Sequence, residues 1–479
     1  MLIPQMLAAT PTATRQVRAV WRGWLRSRCG VDPLSGRLAN RTGARMHDPR
    51  VLLDPATEAV RKLARRGYEV DLGQLDKLLT QRTSAIQRID NARGEAKQVA
   101  NQVQAKARAG EDVVELRERA RALKTEIQQT EEQHRQFEAD LQDFLLGIPN
   151  LPEDRLPDGD SDEFAVEVRT WGDIAAFDFE AADHVDIGER LGIFDFPRAT
   201  KLAGPRFAIL KGPGAQLERA IATFLLQLHT QRHGYIEYSV PALVNRPTMT
   251  GTGQLPKFEE DLFKTGVDDR ELFLIPTAEV PLTNLHAGET LPAEGLPLAY
   301  TAHTPCFRSE AGSYGRDTRG LIRLHQFSKV ELVRIVDAQR SAEELEIMLS
   351  HAETCLQELG LAYRVVTLPA GDIGFSAQYT YDIEVWLPSQ QRYREISSVS
   401  DCGTFQARRA GIRTKSKDGK RGFAATLNGS GLPIGRTLVA ILEQCQQPDG
   451  SVRMPGVLVP HLGFSRIKPD GTTYAVRGG

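Results

Sequence analysis

The chain has 479 residues, 41% hydrophobic and 25% charged, an average composition that excludes collagen, mucin-like tracts and wholesale disorder. That length is enough for two or three domains, and no stretch approaches the ~18 apolar residues that cross a bilayer, so we expect no membrane partner. The formal net charge of −2 excludes global attraction to a polyanion, which would have to bind through local basic patches.

Residues 1–45 form an extension that contains eight Arg and a single Asp. Val17–Leu25 has the spacing of a short amphipathic helix, so one interpretation is an organelle-targeting peptide. The other is an extension without function, because patterned sequence begins just after Met46, a candidate internal start. We expect this segment to be disordered and the protein to be cytoplasmic.

Residues 46–150 are predicted to form a long helical hairpin arm. A first helical stripe contains Leu79, Ile86, Ile89, Ala96, Ala100, Val103 and Ala107. After Ala109-Gly110 a second stripe contains Val113, Leu116, Ala120, Leu123, Ile127, Thr130, His134, Phe137, Leu141 and Phe144. Two stripes around a short turn predict an antiparallel coiled coil with arms of roughly 50 Å. Such an arm is either a solvated oligomerisation element or a probe for something large and extended.

Residues 151–479 form the body, which a linker rich in Pro, Asp and Glu separates from the arm. Helices are predicted over Gln216–Arg232 and Glu343–Gly360. Strand-like runs are Tyr235–Val240, Phe273–Ile275, His325–Val336, Ile383–Leu387 and Arg394–Ser398. Because strands outnumber crossover helices, we expect an α+β fold with a mostly antiparallel sheet flanked by helices.

The densest charge cluster lies in Thr304–Ser313 and in the alternating strand Leu321–Glu331, joined by the loop Tyr314–Gly320. A hairpin of these two segments would bring the cation of Arg308 and the aromatic face of Phe327 over one cleft. The carboxylates of Glu310 and Glu331 would lie over the same cleft. Arginine suits phosphate and an aromatic face suits a nucleobase. The alternative is a salt-bridge ladder on the surface.

Two further segments carry candidate site residues. Glu384 and Glu395 lie on neighbouring strand-like runs, and carboxylate and hydroxyl oxygens there suit magnesium with phosphate, although paired strand carboxylates also face solvent. Thr426–Arg436 is rich in small residues that allow close packing. Its Arg436 precedes the predicted helix Thr437–Cys445 and adds charge at the helix start.

Several familiar motifs are excluded. Gly251-Thr252-Gly253 and Gly429–Gly435 do not follow the strand–GxGxxG–helix pattern, and no GxxxxGK[ST] occurs, so Rossmann and Walker sites are rejected. The ten histidines lack HxxH and HExxH spacing, and the five cysteines lack CxxC spacing. We therefore expect no structural zinc and no disulfide framework.

These segments together resemble a known family. Phe307–Glu310 with His325–Phe327 and Glu331 resembles motif 2 of the class II aminoacyl-tRNA synthetases, and Gly435-Arg436 resembles motif 3. The helix and strand that end at Pro241 resemble motif 1, the usual dimer interface. Thr277-Ala278-Glu279, Glu395–Ser398, Asn428–Ser430 and the hairpin narrow the resemblance to bacterial-type seryl-tRNA synthetases, over about residues 46 to 467.

The resemblance implies an enzyme that activates L-serine with ATP and Mg²⁺ and transfers it to serine tRNA and selenocysteine tRNA, as a homodimer. It implies an ATP site of Arg308, Ser309, Glu310, Leu324, Phe327, Glu395, Ile396, Ser397, Ser398 and Arg436, in which Arg308, Glu395 and Arg436 are catalytic. It implies a serine site of Thr277, Ala278, Glu279, Arg308, Glu331, Asn428 and Ser430, and Mg²⁺ at Glu395 and Ser398.

The resemblance also implies that the arm contacts the long variable arm of tRNA, largely by shape and backbone. The basic run Arg408–Arg421, with Asp418-Gly419 as a hairpin tip, either touches tRNA or is a solvated loop. One alternative function is a class II paralogue that passes serine to a non-tRNA acceptor, which the intact arm disfavours. Another is a tRNA-binding regulator with a dead site, which the presence of Arg308, Glu310 and Arg436 disfavours.

Overall fold

The computed structural model describes residues 47–174, 176–311 and 319–475. The chain divides into Met1–Gly43 and Ala44–Gly479, and the first unit lies outside the described residues, as do the expectations made for residues 1–45. Within the described ranges, none of the helices combines the length and the apolarity that a membrane span requires. Cys306, Cys355, Cys402 and Cys445 are free thiols.

The elements are numbered here in chain order. The α-helices are α1 Pro49–Leu53, α2 Ala59–Ala64, α3 Leu72–Ala109, α4 Val114–Leu146, α5 His184–Arg190, α6 Phe196–Ala203, α7 Pro213–Gln231, α8 Arg246–Thr252, α9 Glu279–Thr283, α10 Ser341–Leu359, α11 Phe405–Ala410, α12 Ile434–Gln444 and α13 Val459–Leu462. The strands are β1 Val166–Trp171, β2 Ile236–Glu237, β3 Leu243–Val244, β4 Lys264–Val267, β5 Arg270–Leu274, β6 Thr290–Pro292, β7 Leu298–Phe307, β8 Gln326–Val336, β9 Tyr363–Thr367, β10 Tyr379–Leu387, β11 Arg392–Asp401, β12 Arg413–Lys415, β13 Arg421–Phe423, β14 Ala425–Pro433, β15 Val452–Arg453, β16 Phe464–Ile467 and β17 Thr473–Ala475.

The helical hairpin is confirmed as the antiparallel pair α3 and α4. Asp71 caps the start of α3 by accepting a hydrogen bond from the Gln74 amide at 2.8 Å, and Gly110, whose φ of +75° suits glycine, caps its end. The second predicted stripe is at least partly buried along its whole length. On the first helix, however, Ala100 and Ala107 are exposed and Val99 is buried. The buried residues that face the partner helix repeat every seven residues, at Ala85, Ala92 and Val99, as in a coiled coil.

The residues before α3 form a small cap on the base of the arm. Leu52 of α1 and Leu63 of α2 are buried against Leu75 of α3 and Leu145 of α4. The cap buries the apolar ends of both long helices, which a two-helix hairpin alone would leave in water. The N-terminal part of the chain is therefore a cap plus a hairpin, which is more than the predicted hairpin.

The largest sheet of the body has eight strands in the order β1-β9-β10-β11-β14-β8-β7-β2, and three small three-stranded sheets lie outside it in the part of the chain that the structure describes. Its neighbouring strands are antiparallel except for the β2–β7 pair, so the predicted fold class is confirmed. The strand predicted over Tyr235–Val240 is reduced to Ile236–Glu237, which pairs in parallel with β7 at the sheet edge. The predicted hairpin tip at Asp418-Gly419 is confirmed between β12 and β13.

The two faces of the sheet have different roles. Val330 and Leu332 of β8 join the main apolar core with α7, α10 and α12. Because side chains alternate along a strand, Phe327, Lys329 and Glu331 face the opposite side. There β8 also contributes Val333 to a second apolar cluster that contains Ala278 and Ala407, next to α9 and α11. Polar residues of the central strands thus lie between the sheet and this second layer.

Candidate active site

A cleft opens on the polar face of the sheet. Of the predicted ATP-site and serine-site residues, it is lined by Arg308, Glu310, Leu324, Phe327, Glu395, Ile396, Ser430 and Arg436. These residues come from the ends of β7 and β8, the middle of β11, and the junction of β14 with α12. The antiparallel order of the central strands brings these distant segments together.

Arg308 lies just beyond the β7–β8 ladder. The pairing continues past Phe307, because the Arg308 amide donates to the His325 carbonyl at 3.0 Å. The guanidinium is exposed to the cleft, 5.2 Å from the centroid of the Phe327 ring, and its Nε donates to the Pro276 carbonyl at 3.4 Å. A cation beside an aromatic face is suited to a phosphate joined to a nucleobase.

Glu310 and Ser309 differ in their relation to the cleft. Glu310 lines it and accepts a hydrogen bond of 2.6 Å from Arg323, with its backbone in the left-handed region at φ +53°. Ser309 donates its hydroxyl to the Glu260 carbonyl at 2.8 Å and its amide to the Asp261 carbonyl at 3.0 Å. Ser309 therefore anchors the turn to a neighbouring segment. Residues 312–318, which include most of the predicted loop Tyr314–Gly320, lie outside the described residues.

Glu395 and Arg436 form an ion pair across the cleft. Arg436 Nη1 lies 3.2 Å from Glu395 Oε1 and donates to the Glu395 carbonyl at 2.9 Å. The positive charge of Arg436 is the main cause that lowers the pKa of Glu395. The β10–β11 register shifts here, which leaves Ile396 as an extra residue. Such a bulge bends a strand and re-aims the side chains beside it.

A second irregularity positions Arg436. The β14–β8 register shifts between Ser430 and Pro433, and the buried Leu432 has a φ of +83°. This strained turn leads directly into α12, which begins at Ile434, three residues before the predicted Thr437. Arg436 therefore lies in the first helical turn and adds its charge to the positive end of the helix dipole. Strain of this kind is concentrated at functional sites.

Glycine allows β14 to pack closely on the helical layer. A Cβ at Gly431 would lie 2.6 Å from His229 Nε2, and His229 on α7 is fully buried. A Cβ at Gly429 would lie 3.2 Å from Met348 Sδ on α10. Alanine at Gly431 would therefore push the strand outward beside Ser430. The predicted role of small residues in close packing is confirmed here.

Ser397 and Ser398 also have different environments. Ser397 is buried and donates to the Ser430 carbonyl at 2.8 Å, which ties β11 to β14. Ser398 pairs in register with Asp382 of β10 and hydrogen-bonds to its carboxyl group. Burial first, and then the charge of Glu395, raise the pKa of Asp382, whose Oδ1 is buried and has no hydrogen-bond partner. Asp382 was not predicted.

The predicted serine site is a pocket beside the cleft. Thr277 donates its hydroxyl to Glu331 Oε2 at 2.5 Å, and Glu331 forms a buried ion pair with Lys329. Register pairs Glu331 with Ser430, so β14 contributes directly to this pocket. Ala278 is fully buried under it. Lys329 was not predicted, although it is two residues before Glu331 on an alternating strand and therefore on the same face.

Glu279 completes the pocket at the start of α9. Its Oε1 accepts hydrogen bonds from Gln406 Nε2 at 2.6 Å and from Asn428 Nδ2 at 3.1 Å. Burial and the nearby charge of Glu331 raise the pKa of Glu279 to about 7. A cationic amino group bound here would favour the charged carboxylate. No sequence signal marked Gln406, which lies two residues before the predicted basic run Arg408–Arg421.

Among the described residues, no three carboxylate, imidazole or thiolate side chains converge as a group that could hold a metal ion. Magnesium in phosphate-transfer sites is commonly bound by one or two carboxylates together with phosphate oxygens.

Comparisons with known proteins agree with this architecture. Residues 262–445 match the family described as the tRNA synthetase class II core domain (G, H, P, S and T). Together with the antiparallel sheet and the arginine-bearing cleft, this match defines a class II aminoacyl-tRNA synthetase. Residues 46–152 match the family described as the seryl-tRNA synthetase N-terminal domain.

Individual relatives narrow the class. Serine--tRNA ligase 2 of Streptomyces avermitilis is 59% identical over 432 residues, which cover 89% of this chain and 100% of that protein. The chain therefore belongs to the seryl-tRNA synthetase family.

Solved structures show the same fold. Seryl-tRNA synthetase from Pyrococcus horikoshii, complexed with ATP, aligns with a TM-score of 0.81 and 34% identity over 88% of this chain and 100% of that one. Cytoplasmic serine-tRNA ligase from Naegleria fowleri, in complex with AMP, aligns with a TM-score of 0.78 and 25% identity over 88% and 99% of the two chains.

Proposed function

We propose that the protein activates L-serine with ATP to give seryl-adenylate and then transfers the seryl group to the 3′ end of serine tRNA, and of selenocysteine tRNA. The observation that carries the proposal is that a cleft suited to a nucleotide lies next to a pocket suited to an amino acid. A cleft with Arg308, Arg436 and Glu395 suits a nucleotide, and it adjoins a pocket with Glu279 and Glu331 that suits an ammonium group. The ATP and AMP complexes of related proteins support a nucleotide in this cleft.

The chemistry requires positioning and charge neutralisation more than covalent catalysis. A serine carboxylate oxygen attacks the α-phosphorus, and the bond to pyrophosphate breaks. Arg308 would bridge the carboxylate and the α-phosphate, Arg436 would hold the γ-phosphate, and Phe327 would stack on adenine. Fixed cations of this kind stabilise charge that develops in the transition state. The tRNA ribose hydroxyl then attacks the seryl carbonyl and releases AMP.

Magnesium would be held by Glu395 and Ser398 together with phosphate oxygens. The site fits this ion because its donors are oxygens and because Asp382 presents a buried oxygen without a partner beside Ser398. When bound, Mg²⁺ would neutralise phosphate charge. Arg436 holds Glu395 in its charged form, which is the form that a cation requires.

Selectivity for serine would come from the polar pocket. Thr277, Glu279, Glu331, Asn428 and Ser430 offer carboxylate, hydroxyl and amide partners to the ammonium and the side-chain hydroxyl. Alanine would leave some of these buried partners unpaired. A site that hydrogen-bonds a substrate hydroxyl rejects the analogue without it far more strongly than one methylene would allow.

The arm would be the tRNA-binding part, so that residues 46–150 bind tRNA and residues 151–479 carry out catalysis. Its outer surface mixes charges, as in the exposed pairs Arg93–Glu131 and Arg119–Glu95, which suits contact with an RNA backbone by shape. In a homodimer formed through the β2 edge, the arm of one subunit would contact tRNA on the other. The hairpin β12–β13 is a second candidate contact.

Two assays test the proposal. Serine-dependent exchange between ATP and pyrophosphate measures activation, and charging of purified serine tRNA measures transfer. Both activities are expected. Exchange without charging would favour a paralogue with another acceptor, and absence of both would favour a regulator with a dead site. Charging of selenocysteine tRNA is measured separately.

Arg308→Ala is expected to lower serine-dependent exchange at least ~100-fold, because it removes a cation from the transition state. Dimerisation and thermal unfolding are expected to stay unchanged, since the side chain is exposed. Arg340→Ala is the matched control, because Arg340 is an exposed arginine paired with Glu343 at the start of α10. Exchange that survives in Arg308→Ala would overturn the role assigned to Arg308.

A further inference from the structure

Gln406 is fully buried behind the serine pocket, on α11. Its Nε2 donates to Glu279 Oε1 at 2.6 Å and to the Thr252 carbonyl at 3.2 Å. Its Oε1 accepts a hydrogen bond of 2.7 Å from the hydroxyl of Thr426, which is also fully buried. The amide therefore has a partner for each amide hydrogen and for its oxygen.

This network fixes the orientation of the amide. The Thr252 carbonyl can only accept a hydrogen bond, so the nitrogen of Gln406 must face it, and the same nitrogen meets Glu279. A reversed amide would bring two oxygens together at Thr252 and again at Glu279. The orientation thus follows from the chemistry of the partners.

Glu279 needs such support because its surroundings oppose its charge. Burial and the carboxylate of Glu331 raise its pKa, whereas the hydrogen bond from Gln406 and the charges of Lys329 and Arg308 lower it. The thiol of Cys402 also lies near the carboxylate. Gln406 is the largest of the lowering influences. The hydrogen bond from Gln406 thus favours the ionised carboxylate against surroundings that oppose its charge.

We propose that Gln406 is a positioning residue, which holds the Glu279 carboxylate in one orientation and in its charged form and thereby sets the affinity of the pocket for serine. The inference rests on the proposed function, because it concerns the same amino-acid site. Gln406 acts only through Glu279, since it is buried behind that residue and is not among the residues that line the cleft. Asn428 donates to the same oxygen from β14, but at 3.1 Å.

The test is the Gln406→Leu variant, measured by serine-dependent exchange between pH 6 and 9. The KM for serine at pH 7 is expected to rise roughly tenfold or more, the size expected when a charged group loses a hydrogen bond. The acid limb of kcat/KM for serine is expected to move to higher pH, because Glu279 loses the donor that favours its ionised form. The KM for ATP is expected to stay within about twofold, as expected for a change outside the nucleotide site.

Two further variants separate positioning from folding. Gln446→Leu removes another buried glutamine, which bonds to Ala182 and to the Glu443 carbonyl, and it is expected to leave the serine profile unchanged. Thr426→Val keeps the Gln406 amide but removes the hydroxyl that donates to its oxygen, so an intermediate shift is expected. An unshifted profile in Gln406→Leu, or equal rises in both KM values, would overturn the proposal. Wild-type protein without serine-dependent exchange would instead contradict the proposed function itself.

Discussion

The surroundings of several side chains shift their pKa values and so decide their charge. His229 is the clearest case, because it lies on α7 and is fully buried against β14. Its Nε2 lies 3.3 Å from Cys355 Sγ, and its Nδ1 lies 3.1 Å from His233 Nδ1. Burial, together with the nearby His233 and His351, lowers the pKa of His229 to about 3. The ring is therefore neutral in the folded protein at all ordinary pH values.

Acidification is expected to destabilise the fold through His229. Between pH 6.5 and about 3 the unfolded chain binds a proton at this residue and the folded protein does not, so the free energy of unfolding falls as pH falls. One such group contributes up to ~1.4 kcal/mol per pH unit in that window. Urea unfolding at pH 7, 6 and 5 measures the slope.

The variant His229→Asn is expected to lower stability and to flatten that slope. Cys355→Ala is the matched control: it disturbs the same buried cluster without removing a base, so it should lower stability about equally at each pH. If His229→Asn kept the wild-type slope, protonation of His229 would not be a cause of the fall in stability at low pH.

The two helices of the arm pack against each other along its outer half. Its outer half has a thin core of Ala92, Val99 and Leu123, and exposed ion pairs such as Arg93–Glu131 and Arg119–Glu95 add little to stability. Long helices of this kind are held together by the apolar residues between them. The arm can therefore be shortened only where equal lengths are removed from both helices, so that the remaining residues stay in register.

Shortening the arm symmetrically between Gln87 and Gln133 is expected to spare serine-dependent exchange and to reduce charging of serine tRNA at least ~100-fold, as for the loss of an extended RNA contact. The cut points are matched, because Arg88 contacts Gln133 across the hairpin at 3.4 Å. The intact protein at equal active-site concentration is the reference. Undiminished charging would show that the outer arm does not take part in tRNA recognition.

The arm is joined to the body through a half-buried arginine. Arg66 donates to the carbonyls of Asn150, Ala377, Ile373 and Gly374 at 2.8–3.1 Å. The Asn150 side chain in turn donates to the carbonyls of Ser376 and Cys402 at 2.9 Å. Burial lowers the pKa of Arg66 to about 10, which leaves it charged at neutral pH. The base of the arm and the wall behind the serine pocket thus share one hydrogen-bond network.

Arg66→Ala is expected to lower the free energy of unfolding by about 2–4 kcal/mol, because four carbonyls lose a charged donor. Arg66→Lys keeps the charge but lacks the planar fork, so it should recover only a minor part of that loss. Urea unfolding monitors the loss, and limited proteolysis locates it. A wild-type unfolding midpoint in Arg66→Ala would mean that the junction is held by other contacts.

Sequence patterns predicted the parts of this protein whose structure is decided locally. The heptad stripes of α3 and α4, the helices α7 and α10 and the strands β8, β10 and β11 follow from side-chain period, which neighbours along the chain determine. The charged residues Arg308, Glu310 and Arg436 lie in otherwise apolar segments of the sequence, and this pattern predicted a ligand-binding site. The same reasoning missed the cap of α1 and α2, because those helices are too short to show a period.

Sequence alone therefore determined most of the helices and strands, and it predicted several of the polar residues that line the cleft. Only the tertiary structure decided that Ser430 lies beside Glu331, that Ile396 bulges so as to aim Glu395 at Arg436, and that Gln406 supports Glu279. Strand register, bulges and contacts between layers join residues that are tens to hundreds of positions apart. Local spacing contains no information about such pairings, because they are selected by the packing of the whole core.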